Sequence, residues 1–318
     1  MKQLTIFTPT YNRAYTLPRL YNSLLKQDAS LFKWLIVDDG STDNTEELVG
    51  KWIKEHKLDI KYIYQQNAGK MQAHNRGLKE CDTELFLCCD SDDWMAENSI
   101  RPALEFWNKH QKEHSGMVGP RRQHQKELSG MVGPRRQHQK ELSGMVGPKT
   151  IINRNIDTLS TLPKDDTVDT LSGLYEKGYK GETALIFRTS VIRKYPFPKI
   201  EGEKFITEDY IYCQLDDKYE LLIYPQYCME CEYQQDGYTE NIIKLERANP
   251  KGFALYYNEK AKHVRTFRRK IRCLREYVQF SRKSNYSILK ILKDANYPIM
   301  TILSIPLTSV RRILKKLI

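Results

Sequence analysis

The sequence predicts an α/β protein, a mixed and mostly parallel sheet flanked by helices, followed by a basic helical C-terminal tail. Three observations carry that reading. Strand and helix signals alternate through the first hundred residues, as a parallel sheet with crossover helices requires. Carboxylates stand at the ends of two of those strands, in Ile36-Val-Asp-Asp-Gly40 and Cys88-Cys-Asp-Ser-Asp-Asp-Trp94. Charge is also unevenly spread: Lys244 to Ile318 holds 19 Lys/Arg and 4 Asp/Glu, a net of +15, whereas the other 243 residues hold 32 and 36, a net of −4, within a total of +11.

The elements follow in order. Leu4–Thr8 is a short apolar strand, and Leu17–Gln27 carries Leu17, Leu20, Tyr21, Leu24 and Leu25 on one helical face. Lys33–Val37 is the second strand and Thr45–His56 the next helix, with Leu48, Val49, Trp52 and Ile53 inward. Ile60–Tyr64, Lys70–Lys79 and Glu84–Cys89 read as strand, helix and strand. Asp93 would cap a helix beginning near Trp94. Ligands of such a sheet bind at the carboxyl ends of its strands. Later come a helix at Val168–Glu176, a strand at Thr183–Arg188, a loop at Tyr195–Phe205 and a helix at Asp209–Asp216. A strand at Leu221–Tyr224 and a segment at Tyr227–Tyr233 close the globular part, and Tyr238–Asn258 reads as connecting structure.

Between these halves lies a repeat. Gln111–His124, Gln125–His138 and Gln139–Pro148 are two full copies and one partial copy of a 14-residue unit, differing only at His114, where the others have Leu128 and Leu142. The period is shorter than those of common solenoids, and the near-identity reads as an in-frame duplication. One unit supplies a helix end and a short Ser-Gly-Met-Val-Gly strand, so about two units, 28 residues, are expected to loop out. Loop-closure entropy rises only ~0.6 kcal/mol per doubling of length, which a fold can tolerate. The expected divisions are residues 1–110, 111–148, 149–240 and 241–318.

Seven cysteines, an odd number in a long chain, do not form a disulfide framework. Cys228-Met-Glu-Cys231 has no second pair or nearby histidine and reads as strand thiols rather than a zinc site. The first strand begins too early, and its apolar stretch is too short, for a signal peptide. A cytoplasmic location for the active half is therefore expected. In the tail, Phe267, Ile271, Leu274 and Val278 recur at helical spacing among arginines. Tyr297–Val310 is mostly apolar but too short to span a bilayer, and Arg311, Arg312, Lys315 and Lys316 follow it. An apolar face with many cations fits attachment to an anionic membrane surface. Nucleic acid would use the cations but has no need of the apolar run, and is not expected.

The motif order resembles a known family. Thr8-Pro-Thr-Tyr-Asn-Arg13 follows the first strand, Val37-Asp-Asp-Gly-Ser-Thr-Asp-Asn-Thr45 the second, and Asn67-Ala-Gly-Lys-Met-Gln-Ala-His-Asn-Arg-Gly-Leu78 the third. Asp90-Ser-Asp-Asp93 follows the fourth, and Thr207-Glu-Asp209 opens a later helix. Together these resemble a family 2 glycosyltransferase of the GT-A (nucleotide-diphospho-sugar transferase) fold, over roughly Leu4 to Tyr238. No GxGxxG follows the first strand, which argues against a dinucleotide-binding oxidoreductase.

The resemblance implies a nucleotide-sugar donor, with UDP-sugar favoured. Thr8, Pro9, Tyr11 and Arg13 would lie against the base, and Asp39 would accept a hydrogen bond from it. Lys70 and Arg76, near a helix start, would meet the diphosphate. The family usually has Arg where His74 stands. Asp90, Ser91 and Asp92 match the DxD motif, with Asp90 and Asp92 holding Mn²⁺ or Mg²⁺. Asp209 would be the general base for inverting transfer, with Glu208 and Asp236 on the acceptor side. Removing the 28 extra residues shortens the 117 positions from Asp92 to Asp209 to 89, nearer the family spacing. No QxxRW-like segment is present, so a processive synthase is not expected. The implied acceptor is a growing, lipid-linked glycan at the inner membrane face, in polysaccharide, capsule or lipopolysaccharide assembly. Two alternatives are a sugar nucleotidyltransferase, whose basic glycine-rich loop is missing here, and a non-catalytic nucleotide-sugar-binding protein.

Overall fold

The computed structural model describes residues 1–115, 141–151, 168–179, 181–232 and 234–305. The first half alternates as expected: β1 (Leu4–Thr10), α1 (Leu17–Leu24), β2 (Phe32–Asp38), α2 (Thr45–Glu55), β3 (Ile60–Tyr64), α3 (Lys70–Glu80) and β4 (Leu85–Cys88). β1 pairs in parallel with both β2 and β4, and β2 with β3, so four carboxyl ends point one way. Successive residues of these strands face opposite sides. Leu4, Ile6, Trp34 and Ile36 join one buried cluster with Leu20 and Leu24 of α1 and Trp52 of α2. Phe7, Leu35 and Val37 join the other, with Met71 and Leu78 of α3. Helices on both faces explain why the strands read as nearly continuous apolar runs.

The second half contributes β5 (Trp94–Met95), α4 (Ile100–Ser115), β6 (Glu141–Ile151), β7 (Val168–Asp169), α5 (Leu171–Glu176), β8 (Thr183–Arg188), α6 (Thr189–Ile192), α7 (Asp209–Asp216), β9 (Tyr219–Ile223) and β10 (Met229–Cys231). The strand order is β3-β2-β1-β4-β8-β6-β10-β5, with β9 paired to β6 and β7. β8 runs antiparallel between β4 and β6, which makes the sheet mixed. All seven cysteines are free, and Cys228 and Cys231 are buried at β10, as strand thiols should be.

Three local expectations need correction. No helix starts at Trp94: Trp94 and Met95 pair with Glu230 and Met229 of β10, and the helix waits until Ile100. The element expected from Val168 begins as strand β7, and α5 starts only after Thr170, whose hydroxyl accepts from the Gly173 amide at 3.0 Å. The stretch from Tyr238 to Asn258 is not mere connection. It contains α8 (Ile242–Ala248) and the start of α9 (Pro250–His263), with Phe253, Ala254, Tyr256 and Ala261 giving a buried helical face.

The repeat is shared between two elements. The backbone of α4 ends within the first copy, at Ser115, and β6 begins within the third, at Glu141. The intervening residues, where the looped-out units were expected, lie outside the described ones. The choice of the third copy has a physical basis. β6 continues past Pro148 to pair Lys149, Thr150 and Ile151 with β10. Thr and Ile favour a strand, whereas the first two copies run on into Arg-Arg-Gln-His. Gly144 suits the position because an added Cβ would lie 2.0 Å from the Ile186 carbonyl oxygen of β8.

The C-terminal helices α9, α10 (Phe267–Lys283), α11 (Ile288–Asp294) and α12 (Pro298–Ser304) build a third apolar cluster. Leu274, Tyr277, Val278 and Phe280 of α10 are buried there against Phe253, Ala254 and Ala261 of α9. Leu274 and Val278 of the α10 face that the sequence offers to a membrane are therefore closed by protein, whereas Phe267 stays 65% exposed. The basic end Arg311–Lys316 lies outside the described residues. No helix among the described residues is long and apolar enough to cross a membrane.

Candidate active site

The strand ends assemble a charged cluster. Asp90, just past β4, accepts from Lys70 Nζ at 2.7 Å, and the same ammonium lies 2.7 Å from Glu208 Oε1. Lys70 is the first residue of α3, so the β3–α3 turn delivers a cation to the β4 carboxylates. That turn is tight. Gly69 has φ +96°, and a Cβ there would lie 2.0 Å from the Lys204 carbonyl oxygen. Burial works against the Asp90 charge, but Lys70 and Lys149 outweigh it and hold the carboxyl below its ordinary pKa. Asp92 behaves oppositely: burial and the neighbouring Asp90 charge push it up. Asp90 and Asp92 offer the hard oxygens a divalent cation prefers. No group of three His, Cys, Asp or Glu side chains forms a ready metal cage among the described residues. A cation held by two carboxylates would complete its shell from phosphate oxygens and water. The donor set fits such an ion.

Asp93 is not a helix cap. Its carboxylate lies 2.7 Å from Lys149 Nζ, and burial, opposed by Lys149, pushes its pKa up to about 6. Lys149, on β6 just past the third repeat copy, is a site residue that the sequence did not single out, since the contact spans 56 positions. Ser91 is buried between the two aspartates of the motif.

Asp39 is 4% exposed, and its carboxylate is already engaged. Gln65 Nε2 donates at 2.7 Å, the Ala68 amide at 2.9 Å and the Gly69 amide at 2.7 Å. It therefore shapes the loop that carries Lys70. Asp38 does similar work, accepting from the Ser41 amide and from Tyr62 at 2.6 Å. Thr8 is buried, its hydroxyl accepting from Trp34 Nε1 at 3.0 Å, and Pro9 is buried in β1. Of the β1 motif, Tyr11 is the exposed aromatic. Arg13 pairs with Asp236, and Tyr15 lies 3.3 Å from the same carboxylate. Two motifs 223 positions apart are thus joined at the rim. The Tyr238 ring centroid lies 5.9 Å from Lys70 Nζ.

Arg76 does not join the cluster. It pairs with Glu80 at 3.1 Å, one turn along α3, because six residues rotate it by about 120° away from Lys70. His74 is no anion ligand either. Its ring meets Phe7, Phe86 and Phe197 edge-on at 5.2–5.7 Å, and burial, reinforced by Lys70, lowers its pKa to about 3. A neutral packing residue stands where the family usually places a cation.

The Glu208-Asp209 pair divides at the start of α7. Glu208 faces Lys70, whereas Asp209 Oδ2 accepts from Tyr256 Oη at 2.9 Å and lies 3.5 Å from Lys260 Nζ. Tyr256 and Lys260 are one turn apart on α9, a spacing visible in the sequence once that helix is recognised. The preceding loop is also held by α9 and its cap. Asn249 Oδ1 accepts from the Lys204 and Phe205 amides, and Glu203 accepts from the Lys251 and Gly252 amides at 2.8 Å.

A parallel α/β half, a DxD strand end and an ED helix start define a nucleotide-sugar transferase architecture of the GT-A class. Residues 5–162 match the family model described as Glycosyl transferase family 2. This region of the chain is a domain of that family. Over 115 residues it is 31% identical to the poly(ribitol-phosphate) beta-N-acetylglucosaminyltransferase TarS of Staphylococcus aureus, covering 36% of this chain and 20% of that protein. Over 121 residues it is 32% identical to a teichoic acid poly(glycerol phosphate) polymerase of Staphylococcus epidermidis, covering 38% and 16%. The chain thus spans a fifth or less of the length of these curated relatives. Among solved structures, S. aureus TarS 1–349 in complex with UDP-GlcNAc superposes with a TM-score of 0.59 at 18% identity, covering 95% of this chain and 79% of that one. The mannosyltransferase PcManGT from Pyrobaculum calidifontis, in complex with GDP-Man and Mn²⁺, gives 0.53 at 14% identity, covering 98% and 80%. These likenesses establish the fold.

Proposed function

We propose that the chain is an inverting, metal-dependent glycosyltransferase that moves one sugar from a UDP-sugar to a hydroxyl of a growing, lipid-linked glycan in cell-surface polysaccharide synthesis. The observation that carries this is the convergence of Asp90 with Lys70 and Glu208, one residue from Asp209. The reading is supported by relatives named as a poly(ribitol-phosphate) beta-N-acetylglucosaminyltransferase and a teichoic acid poly(glycerol phosphate) polymerase, and by a fold neighbour solved with UDP-GlcNAc.

The residues divide the work. Tyr11 offers a flat, exposed face to the base. Asp39 holds the 65–69 loop so that Lys70 stands ready for a diphosphate. Asp90 and Asp92 would hold Mn²⁺ or Mg²⁺, a cation that neutralises charge on the departing nucleoside diphosphate. Lys70 would then exchange a carboxylate partner for phosphate oxygens, keeping its charge compensated. Asp209 takes the proton of the acceptor hydroxyl, and Tyr256 and Lys260 orient its carboxylate. Inversion needs no covalent nucleophile, only a placed base. The enzyme works at the cytoplasmic face of the membrane, drawn there by its basic C-terminal region.

The test follows UDP release from UDP-sugars with Mn²⁺, with and without acceptor. Asp209→Asn should lose transfer by about 10²–10⁴-fold while still binding UDP with metal. Asp92→Asn should lose the metal-dependent part of binding, seen equally by adding a chelator to the unaltered protein. Full transfer by Asp209→Asn removes the base assignment. Nucleotide-sugar synthesis from a sugar phosphate would mark a nucleotidyltransferase, and binding without turnover a non-catalytic module.

A further inference from the structure

Helix α12 is built partly inside out. Its inward side carries Thr301 and Ser304, fully or almost fully buried, whose hydroxyls bond back to the Tyr297 and Met300 carbonyls at 2.8 and 2.9 Å. Its outward side carries Ile299, Ile302 and Leu303, which are 78%, 49% and 66% exposed. Residues at i, i+3 and i+4 share one helix face, so these three form a single aliphatic stripe directed away from the protein core. Leu289 of the adjoining α11 is 81% exposed. A helix in water normally places such residues the other way round.

The surroundings are cationic. From Arg265 to Ile305 there are ten Lys/Arg and two Asp/Glu, and residues 306–318 add four cations and no acid. Arg268, Arg272 and Arg275 of α10 are exposed. Lys270 sits 4.1 Å from the Tyr297 ring centroid, which brings the basic start of α10 against the start of α12. A second copy of this chain would oppose one positive face to another. Nucleic acid would satisfy the arginines but leave the aliphatic stripe in water. An anionic bilayer surface satisfies both, taking aliphatic side chains below its headgroups and cations among them. Leu274 and Val278 of α10 are closed within the third cluster, which leaves Phe267, 65% exposed, at the start of that helix.

We propose that α12, through Ile299, Ile302 and Leu303, is the element that inserts into the interfacial layer of an anionic membrane, with the exposed arginines of α10 contacting the headgroups. This rests on the membrane-face reading above and assigns it to a particular helix.

The test uses the full chain and sedimentation with vesicles of phosphatidylcholine alone or with phosphatidylglycerol. The unaltered protein should bind the anionic vesicles and bind the neutral ones weakly. Ile299→Ser, Ile302→Ser and Leu303→Ser together should lower partitioning at least tenfold while the melting temperature holds, since all three side chains already face solvent. Leu303→Trp should show a blue-shifted emission on adding anionic vesicles. If the unaltered protein binds neither vesicle, the membrane reading fails and this inference with it. If it binds and the triple variant binds equally, the α12 assignment alone is overturned. A larger mass in solution that the triple variant abolishes, without vesicle binding, would assign the stripe to self-association and overturn the proposal. Binding to single-stranded RNA without vesicle binding would overturn it as well.

Discussion

Asp39 has a structural duty that its motif does not announce. Its place after β2 is what the family resemblance implies for a base-reading carboxylate. In the structure three donors from the 65–69 loop occupy it, two of them backbone amides. An amide side chain would turn an NH₂ toward an N–H and leave one donor unmet, at about 1–3 kcal/mol. Asp39→Asn should therefore lower the urea midpoint of the nucleotide-free protein, with an unchanged denaturant slope. Equal stability of the two proteins would leave Asp39 to the nucleotide alone. His74 teaches the complementary lesson. A polar residue in a motif register became a packing residue because Phe7, Phe86 and Phe197 surround it.

Deleting Gln125–His138, the second copy, leaves both the α4 residues up to Ser115 and β6 from Glu141 in place and shortens only the connection between them. Shortening the connection should alter stability by about 1 kcal/mol or less, with a gain expected from reduced loop entropy. A melting curve checks this, and loss of cooperative unfolding would mean that the duplicated units have become structural. At the end of α9, His263 Nδ1 lies 2.5 Å from Asp217 and Nε2 lies 3.0 Å from Glu259. Burial alone would lower the His263 pKa, but hydrogen bonds to Glu259 and Asp217 outweigh it and raise the pKa above 6.5. A raised folded value means the contribution is full below pH 6.5 and fades as pH rises through that value. It is on the order of 1 kcal/mol, since Asp217 is half exposed. His263→Gln should flatten this part of the stability profile, measured by urea unfolding from pH 5.5 to 8.5. A slope identical to that of the unaltered protein would exclude the pair as its source.

At the scale of the whole molecule, the C-terminal helices belong to the site. Asn249 and Glu203 tie α9 to the loop that leads into Asp209, and Tyr256 and Lys260 meet its carboxylate. Ending the chain after Asn258 would cut α9 midway and uncover Phe253, Ala254 and their neighbours in the third cluster. Such a protein should aggregate or bind apolar dyes rather than remain a clean soluble domain, as size-exclusion chromatography would report. A folded, active truncation would separate the tail from the catalytic unit.

The sheet of the first half and its carboxylate strand ends were legible because they rest on local rules, namely apolar runs, turn glycines and acidic residues at the ends of short segments. The same rules placed Lys70 and the Glu208-Asp209 pair at helix starts. They could not reach what depends on contacts across the chain. Lys149 meets Asp93 over 56 positions, and Tyr256 meets Asp209 over 47. The three copies share nearly the same strand sequence, so only pairing with β10 distinguishes the third. Hydrophobic spacing offered both the α10 face and the Tyr297–Val310 run to a membrane, and packing against α9 buried Leu274 and Val278 of α10 while α12 kept an outward aliphatic stripe. Periodicity records that a helix has an apolar face, but what covers that face is decided only when the other helices are in place.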